Sequence, residues 1–414
     1  MKTTRREFLK DSAVLAGGTM LLGSTDRPYR PSGPAAASRV VSVAAADMLV
    51  DLKYNPDAVG RAFSGGMKEL TGQKTAADAW ASLFGPDDVV GIKINCIGAP
   101  RISSSLASIN ATIDGLKAAG VKENNIIVWD RSDREFQKTG LAINKTSQGV
   151  RVIGITPVSQ SLLPWVEGYD RGVYVSYEDG TLKKFRELIQ AGFTKEGTHR
   201  DIFNSVTWLW TLALQGNEKA KKYEAEMRRL YMDYEDREGI RRIAEEVAHE
   251  FDDVTIEDEE KSFLAGIVTK DITKLVNIAV LKHNEDSGVT LATKNIALGV
   301  TTNKVRFHID YCARAISDIL ALPCLRDKMM LHVGEAAKVS TVSVAGAQIA
   351  TDNRILFSRD PVAMDRIGLD ILEEKRREQG LESIRSISTH VAACAAKGLG
   401  TDDLSRIDLR SLKV

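Results

Sequence analysis

The amino-acid sequence predicts an α/β protein: a mostly parallel or mixed sheet flanked by helices, with an inserted helical subdomain. Three observations point there. Short runs rich in Val and Ile, at 89–94, 125–129 and 275–281, are too short for stable helices and read as strands, the last of them buried on both faces. A helical stretch at 103–119, with serines at its start and Gly120 as its stop, separates the first two runs, giving the strand–helix–strand alternation of a parallel sheet. Residues 186–255 break that alternation with charged helical sequence, so an insertion divides two α/β segments, 38–185 and 256–414.

Taken in order, the chain opens on Arg5 and Arg6, then Phe8, Leu9 and Lys10, an apolar run at 13–22 and the small residues Ala35, Ala36 and Ala37. That order is a twin-arginine export signal. Residues 1–37 are set apart as a signal peptide, with the twin-arginine translocation machinery as a partner and the periplasm or cell envelope as the destination. The rest of the chain holds 50 Lys and Arg against 53 Asp and Glu, a balance of about −3 that lacks the basic footprint of a nucleic-acid binder. No later segment has the roughly 18 uninterrupted apolar residues of a membrane span.

A Val/Ala-rich strand is expected at 39–45, amphipathic helices at 55–70 and 76–83, and further strands at 150–155 and 172–177, the last forming a hairpin with 181–185. In the insertion, Tyr223, Met227, Leu230, Tyr231 and Tyr234 make one apolar stripe on a charged helix, Trp208 and Trp210 anchor a preceding helix, and His199 and His249 stand alone. Beyond it come a helix at 306–320, strands at 329–333, 342–350 and 355–357, helices at 361–377 and 386–397, and an end strand at 406–412.

The chemistry concentrates after the strand at 275–281. Lys282, His283, Glu285 and Asp286 follow it at once, delivering ionisable groups to the carboxyl end of a strand, where open α/β sheets bind ligands. A helix at 289–298 is expected next, capped by Thr290, closed by Gly299 and carrying Lys294 and Asn295 one turn in. Lys93 and Asn95 occupy the tip of the strand at 89–94, and Asp130 and Arg131 the tip of the next, either as site groups or as solvated loop residues. His308 meets a ligand or packs at a helix start; Arg306 lies two residues before it. Glu335 is expected as a strand-end carboxylate. Asp360 before Pro361 is a helix N-cap, and Asp365, one turn later among apolar neighbours, needs a partner, for which a basic strand-end group is the natural candidate.

Four cysteines, Cys96, Cys312, Cys324 and Cys394, form no C-x-x-C pair; buried thiols, disulfides and a cluster drawn from distant segments all stay open. There is no P-loop, no G-x-G-x-x-G and no G-x-S-x-G, which removes the familiar nucleotide folds and the nucleophile elbow.

Three stretches together resemble the family of domain of unknown function 362: the strand from Val90 through Lys93 to Asn95; Leu281, Lys282 and His283 with Gly288, Thr290, Lys294 and Asn295; and Ser358, Asp360, Pro361 and Asp365. Members of that family are often exported by the twin-arginine route, and some carry iron–sulfur ferredoxin modules, which this chain lacks. The family's usual Lys-Thr-His is here Lys282, His283 and Asn284. The resemblance implies no particular reaction.

Three functions follow in order. The first is an exported enzyme in which Lys93, Asn95, Asn295, Arg306, Asp130 and Arg131 bind a small anionic substrate or cofactor. Lys282, His283, His308 and Lys294 then carry the chemistry, and Asp360, Asp365 and Glu335 support them. A metal ion, with His283, His308 and Asp286 as candidate ligands, or an iron–sulfur cluster would extend that reading. Second is a cofactor or metal carrier, or an iron–sulfur redox protein, without turnover. Third is a structural or partner-binding protein of the envelope.

Overall fold

A computed structural model describes residues 37–156, 167–177, 213, 216–232, 236, 238, 239, 241–243, 258, 260–310 and 312–414. The expected signal peptide, the 178–185 arm of the hairpin, Trp208, Trp210, His199, His249 and Tyr234 lie outside them.

Ten strands form one sheet. In chain order its main members are β1 (Ser38–Ala44), β2 (Val90–Lys93), β3 (Ile126–Ser132) and β4 (Arg151–Thr156). A separate two-stranded sheet pairs β5 (Tyr169–Ser176) with β6 (Lys261–Ala265), so the first arm of the expected hairpin also pairs across the insertion. The main sheet continues with β7 (Lys274–Asn284), β8 (Gly288–Thr290), β9 (Met329–Ser340), β10 (Ile349–Thr351), β11 (Arg354–Ser358) and β12 (Ile407–Lys413). Spatially the order is β12-β1-β11-β9-β7-β2-β3-β4. The five strands from β9 to β4 are parallel, β11 runs against both its neighbours, and β12 is parallel to β1. The sheet is therefore mixed with a parallel centre.

Two layers of helices cover it. On one face lie α1 (Pro56–Thr71), α2 (Ala76–Ala81) and α3 (Leu106–Ala118), packing Phe63, Met67, Trp80, Ile109 and Leu116 onto Val41, Ile92, Val128, Val276 and Phe357. Helix α1 starts as its residues dictate: Asn55 accepts from the Asp57 amide at 3.1 Å and Pro56 needs no amide partner there. The other face carries α4 (Ala292–Ala297), α5 (Ala313–Ala321), α6 (Pro361–Glu378) and α7 (Thr389–Ala396), with Leu291, Ile296, Ile316, Ile319, Met364 and Leu372 in its core. Among the described residues no helix is long and apolar enough to cross a membrane.

Several expectations need correction. The run at 275–281 does not stop before its charges: β7 extends to Asn284 and pairs Lys282 with Thr290 and His283 with Val289. The Asn284 side chain accepts from the amides of Asp286 and Ser287, and Gly288 supplies φ +68°, so a tight hairpin forms where a helix start was expected. The helix begins only at Ala292, and Thr290 does not cap it. The helix at 306–320 is broken, with a 3-10 turn over Val305–Asp310 and Cys312 at φ +62° before α5. Of the strand at 342–350 only the last two residues take part, as the start of β10. Glu335 sits within β9 rather than at its end, because that strand runs on to Ser340.

Candidate functional site

The parallel centre of the sheet has a switch point. From β2 the chain crosses through α3 to β3 on one side, and from β7 it crosses through α4 and α5 to β9 on the other. The crevice outside the carboxyl ends of two such diverging strands is where open α/β sheets place ligands. Here those ends carry Lys93 on β2, Asn95 two residues beyond it and Lys282 on β7, the pair of strands being adjacent and parallel.

Lys282 is fully buried. Its ammonium donates to Asn95 Oδ1 at 2.7 Å, to the Ile102 carbonyl at 2.9 Å and to the Ile97 carbonyl. All three acceptors are uncharged, and among the described residues no carboxylate stands within ion-pair distance of this lysine. Burial pushes its pKa down to about 7, partly opposed by the more distant Asp130, Cys96 and Glu335. All three acceptors belong to the segment after β2, two of them as backbone carbonyls, so that loop is the cover over the amine.

Lys93 is also buried, but it is paired, donating to Asp130 Oδ1 at 2.7 Å. The second oxygen of Asp130 accepts from the Cys96 amide at 2.8 Å. Burial raises the Asp130 pKa, yet Lys93 and Arg131 outweigh it and hold the carboxyl at about 2. Arg131 pairs with Glu135 at the same edge.

An amide relay leads inward from this pair. Asn95 Nδ2 donates to Asn295 Oδ1 at 2.9 Å, and Asn295 Nδ2 donates to Asn277 Oδ1 at 2.7 Å. Asn277 Nδ2 then donates to the Ala292 carbonyl and faces His332 Nδ1 at 3.2 Å. Because Lys282 can only donate, it fixes the Asn95 amide, and each amide fixes the next. Burial lowers the His332 pKa to about 3, so its ring is neutral.

Asp365 finds a partner other than the one expected. It accepts from the Ala292 amide at 2.5 Å, from the Thr293 amide at 3.1 Å and from the Thr293 hydroxyl, and so caps α4 from a helix 70 residues away in sequence. The α4 amides offer unpaired donors, which a basic strand-end group would not need to share. His390 stands nearby, with Nε2 3.9 Å from Asp365 Oδ2. Burial lifts the Asp365 pKa to about 7. Asp360 caps α6 as expected, accepting from Val362 and Ala363 amides. Glu335 accepts from the Ser105 amide at 3.0 Å and from the Ser108 hydroxyl at 2.6 Å, tying the start of α3 to β9.

A second group lies farther along the β7–β8 hairpin. Lys294 donates to the Ser287 hydroxyl, and His283 Nδ1 accepts from the Ser343 amide at 3.3 Å. Burial, followed by Arg376 and Lys294, lowers the His283 pKa to about 4. Lys93, Lys282, Asn95, Asn295 and Asp130 are thus brought together, with Lys294 on the same short helix as Asn295. Arg306 makes its described contacts elsewhere. Arg306 donates to Ser262 Oγ at 2.9 Å and to the Asn303 carbonyl, under the rings of Tyr177 and Phe307. His308 is half-buried in its 3-10 turn, and no described contact links it to Lys93, Lys282 or Lys294.

Among the described residues no three His, Cys, Asp or Glu side chains converge, so His283, His308 and Asp286 do not form a set. Cys96, Cys312 and Cys394 are buried thiols, and among the described residues the four cysteines do not converge on an iron–sulfur site.

Sequence reasoning missed three participants. Ser104 accepts from the Asn95 amide and donates to the Ile278 carbonyl, Asn277 ends the amide relay, and Lys304 donates to the Leu298 carbonyl beside Lys93 and Arg131. Only Asn277 left a signal, as an amide inside an otherwise apolar strand.

No curated protein and no solved structure matches the chain. The family model described as domain of unknown function 362 matches residues 216–370, a span that holds Lys282, Lys294, Asn295, Glu335 and Asp365 and leaves Lys93, Asn95 and Asp130 before it. Over that span, as its motifs lead one to expect, the chain is similar to the family of domain of unknown function 362.

Proposed function

We propose that the protein is an enzyme that binds a small anion, a carboxylate or phosphate-bearing substrate or cofactor, at the switch point between β2 and β7, with Lys282 as its working amine. The observation that carries this reading is Lys282 itself: a sealed ammonium with only neutral acceptors has an uncompensated positive charge that an incoming anion would balance. With its pKa brought to about 7, the amine exists in both protonation states near neutrality and suits proton transfer. Access requires the loop carrying Ile97 and Ile102 to swing away, which frees two donors of Lys282 for the ligand as it enters. Asn95 and Asn295 orient the uncovered group. The reading includes export by the twin-arginine route, supported by the sequence of residues 1–37 alone, and an inserted helical subdomain at 186–255.

The test is thermal unfolding and calorimetry of the purified chain with inorganic phosphate and with small di- and tricarboxylates. Anion-dependent stabilisation that disappears in Lys282→Met supports the site. Stabilisation of equal size in both proteins, or none in the parent, rejects it.

A further inference from the structure

The two edges of the large sheet are finished differently. At the β4 edge, Asn144 makes an antiparallel bridge to Val152, exchanging both backbone hydrogen bonds with it, and Asp133 Oδ1 accepts from the Gly154 amide at 2.9 Å. That edge is closed by side chains and a crossing segment. The β12 edge has no such cover: among the described residues β12 pairs only with β1, and its far side has no backbone partner. An open strand of this length is a template for another strand.

The residues on it suit one kind of partner. Leu409 on the strand, with Leu404 and Val414 just beyond its two ends, stands exposed, the three at 46%, 49% and 39%. Asp408 and Arg410 flank Leu409 with opposite charge, so the strand reads as a charge palindrome about that leucine.

We infer that β12 is the contact by which two copies of this chain pair, antiparallel and two-fold, with Leu409 opposite the partner's Leu409. A two-fold pair makes the same patch meet itself, so its residues must be self-complementary. In this register Asp408 faces the partner's Arg410 on both sides of the axis. Centring the axis one residue later sets Arg410 against the partner's Arg410, and one residue earlier sets Asp408 against the partner's Asp408. Like charges directly opposite are unfavourable, so the charges select the register as well as the occupant. The two main sheets become one continuous sheet across the axis, and the inference stands independently of the switch-point ligand.

The test is the solution mass of the full chain by light scattering, with two variants. The expected result is a two-chain mass, self-association weakened at least tenfold by Arg410→Asp, and an oxidative cross-link in Leu409→Cys. Directly opposed residues in an antiparallel pair lie at disulfide-compatible separation. Ile407→Cys, which would face the partner's Ser411, should not cross-link above the parent background. Unchanged thermal unfolding of Arg410→Asp at low concentration separates lost pairing from lost folding. A one-chain mass at the highest soluble concentration overturns the inference. So does a dimer indifferent to Arg410→Asp that fails to cross-link through Leu409→Cys.

Discussion

Lys282 and Asn95, 187 residues apart in sequence, meet through a 2.7 Å hydrogen bond at the point where the sheet's crossovers diverge. The bond gives the Asn95 amide its orientation and gives the lysine one of its three neutral acceptors. It joins the matched family span to the segment before it, so the site needs both halves of the α/β layer.

A pH dependence follows from the lysine. Its folded pKa of about 7 lies below the ordinary 10.5, so the folded chain gives up this proton first. Between pH 7 and 10.5 the unfolded chain binds more protons, and stability rises with pH; below 7 the penalty is fully present. Replacing the amine in Lys282→Met should flatten that rise by up to about 1.4 kcal/mol per pH unit. Urea midpoints for both proteins from pH 7 to 9 measure it, and parallel curves would contradict a desolvated amine.

Asp365 has the opposite sign. Its carboxyl, lifted from 3.8 to about 7, binds a proton more tightly in the folded chain, so its contribution is fully present below pH 4 and lost as pH rises through 7. Asp365→Asn should therefore lose less stability than the parent over that window, by up to about 1.4 kcal/mol per unit. Asp365→Ala removes the cap of α4 together with the titrating carboxyl, and should cost about 1–2 kcal/mol below pH 4, a cost that shrinks as pH rises through 7. Hydrogen exchange at the Ala292 and Thr293 amides should accelerate in the alanine variant; unchanged rates would show that the carboxylate is not their acceptor.

The buried pair of Lys93 and Asp130 predicts strong coupling. Either Lys93→Met or Asp130→Asn strands a buried partner and should cost about 3–5 kcal/mol, while the double change should cost clearly less than the two together. A denaturation cycle over the four proteins reads the coupling directly. Additive losses would mean that the two groups do not meet in solution.

Much of this arrangement was legible, and the reason is local. Runs such as 89–94 and 275–281 announced buried strands because nothing but a sheet interior suits so many consecutive apolar residues, and Asp360 with Pro361 announced a helix start through its own capping chemistry. What escaped depends on contacts between distant segments. The extension of β7 through Lys282 and His283 is stabilised by a hairpin that Asn284 and Gly288 create, and charged residues inside a strand defeat a reading based on apolar periodicity. Asp365 was expected to need a partner because a buried carboxylate is costly, but that the partner would be the α4 amides was invisible until α4 was in place. Arg306 offers a cation as Lys282 does, and nothing local in the sequence shows that its guanidinium goes to Ser262 and the Asn303 carbonyl.

Gly299 illustrates the same point and gives the sharpest substitution test. It was read as a helix stop, which usually means left-handed backbone, yet it is absent from the positive-φ positions. Its constraint is space: a Cβ there would lie 2.3 Å from the Asn295 carbonyl oxygen and 2.4 Å from Lys93 Cε. Replacing glycine by alanine at a permissive position stabilises by about 0.4–1 kcal/mol through the unfolded chain. Overpacking a filled interior costs about 1–3 kcal/mol, so at Gly299 the steric term wins and Gly299→Ala should be destabilising. The displaced Lys93 should also loosen its bond to Asp130. Gly60 is the control, being exposed inside α1 with nothing within 4 Å of a Cβ, and Gly60→Ala should stabilise by about 0.5–1 kcal/mol. Thermal unfolding of the two variants should move in opposite directions. If Gly299→Ala were as stable as Gly60→Ala, Lys93 could not occupy the channel between β2 and the end of α4, and its pairing with Asp130 would have to be abandoned.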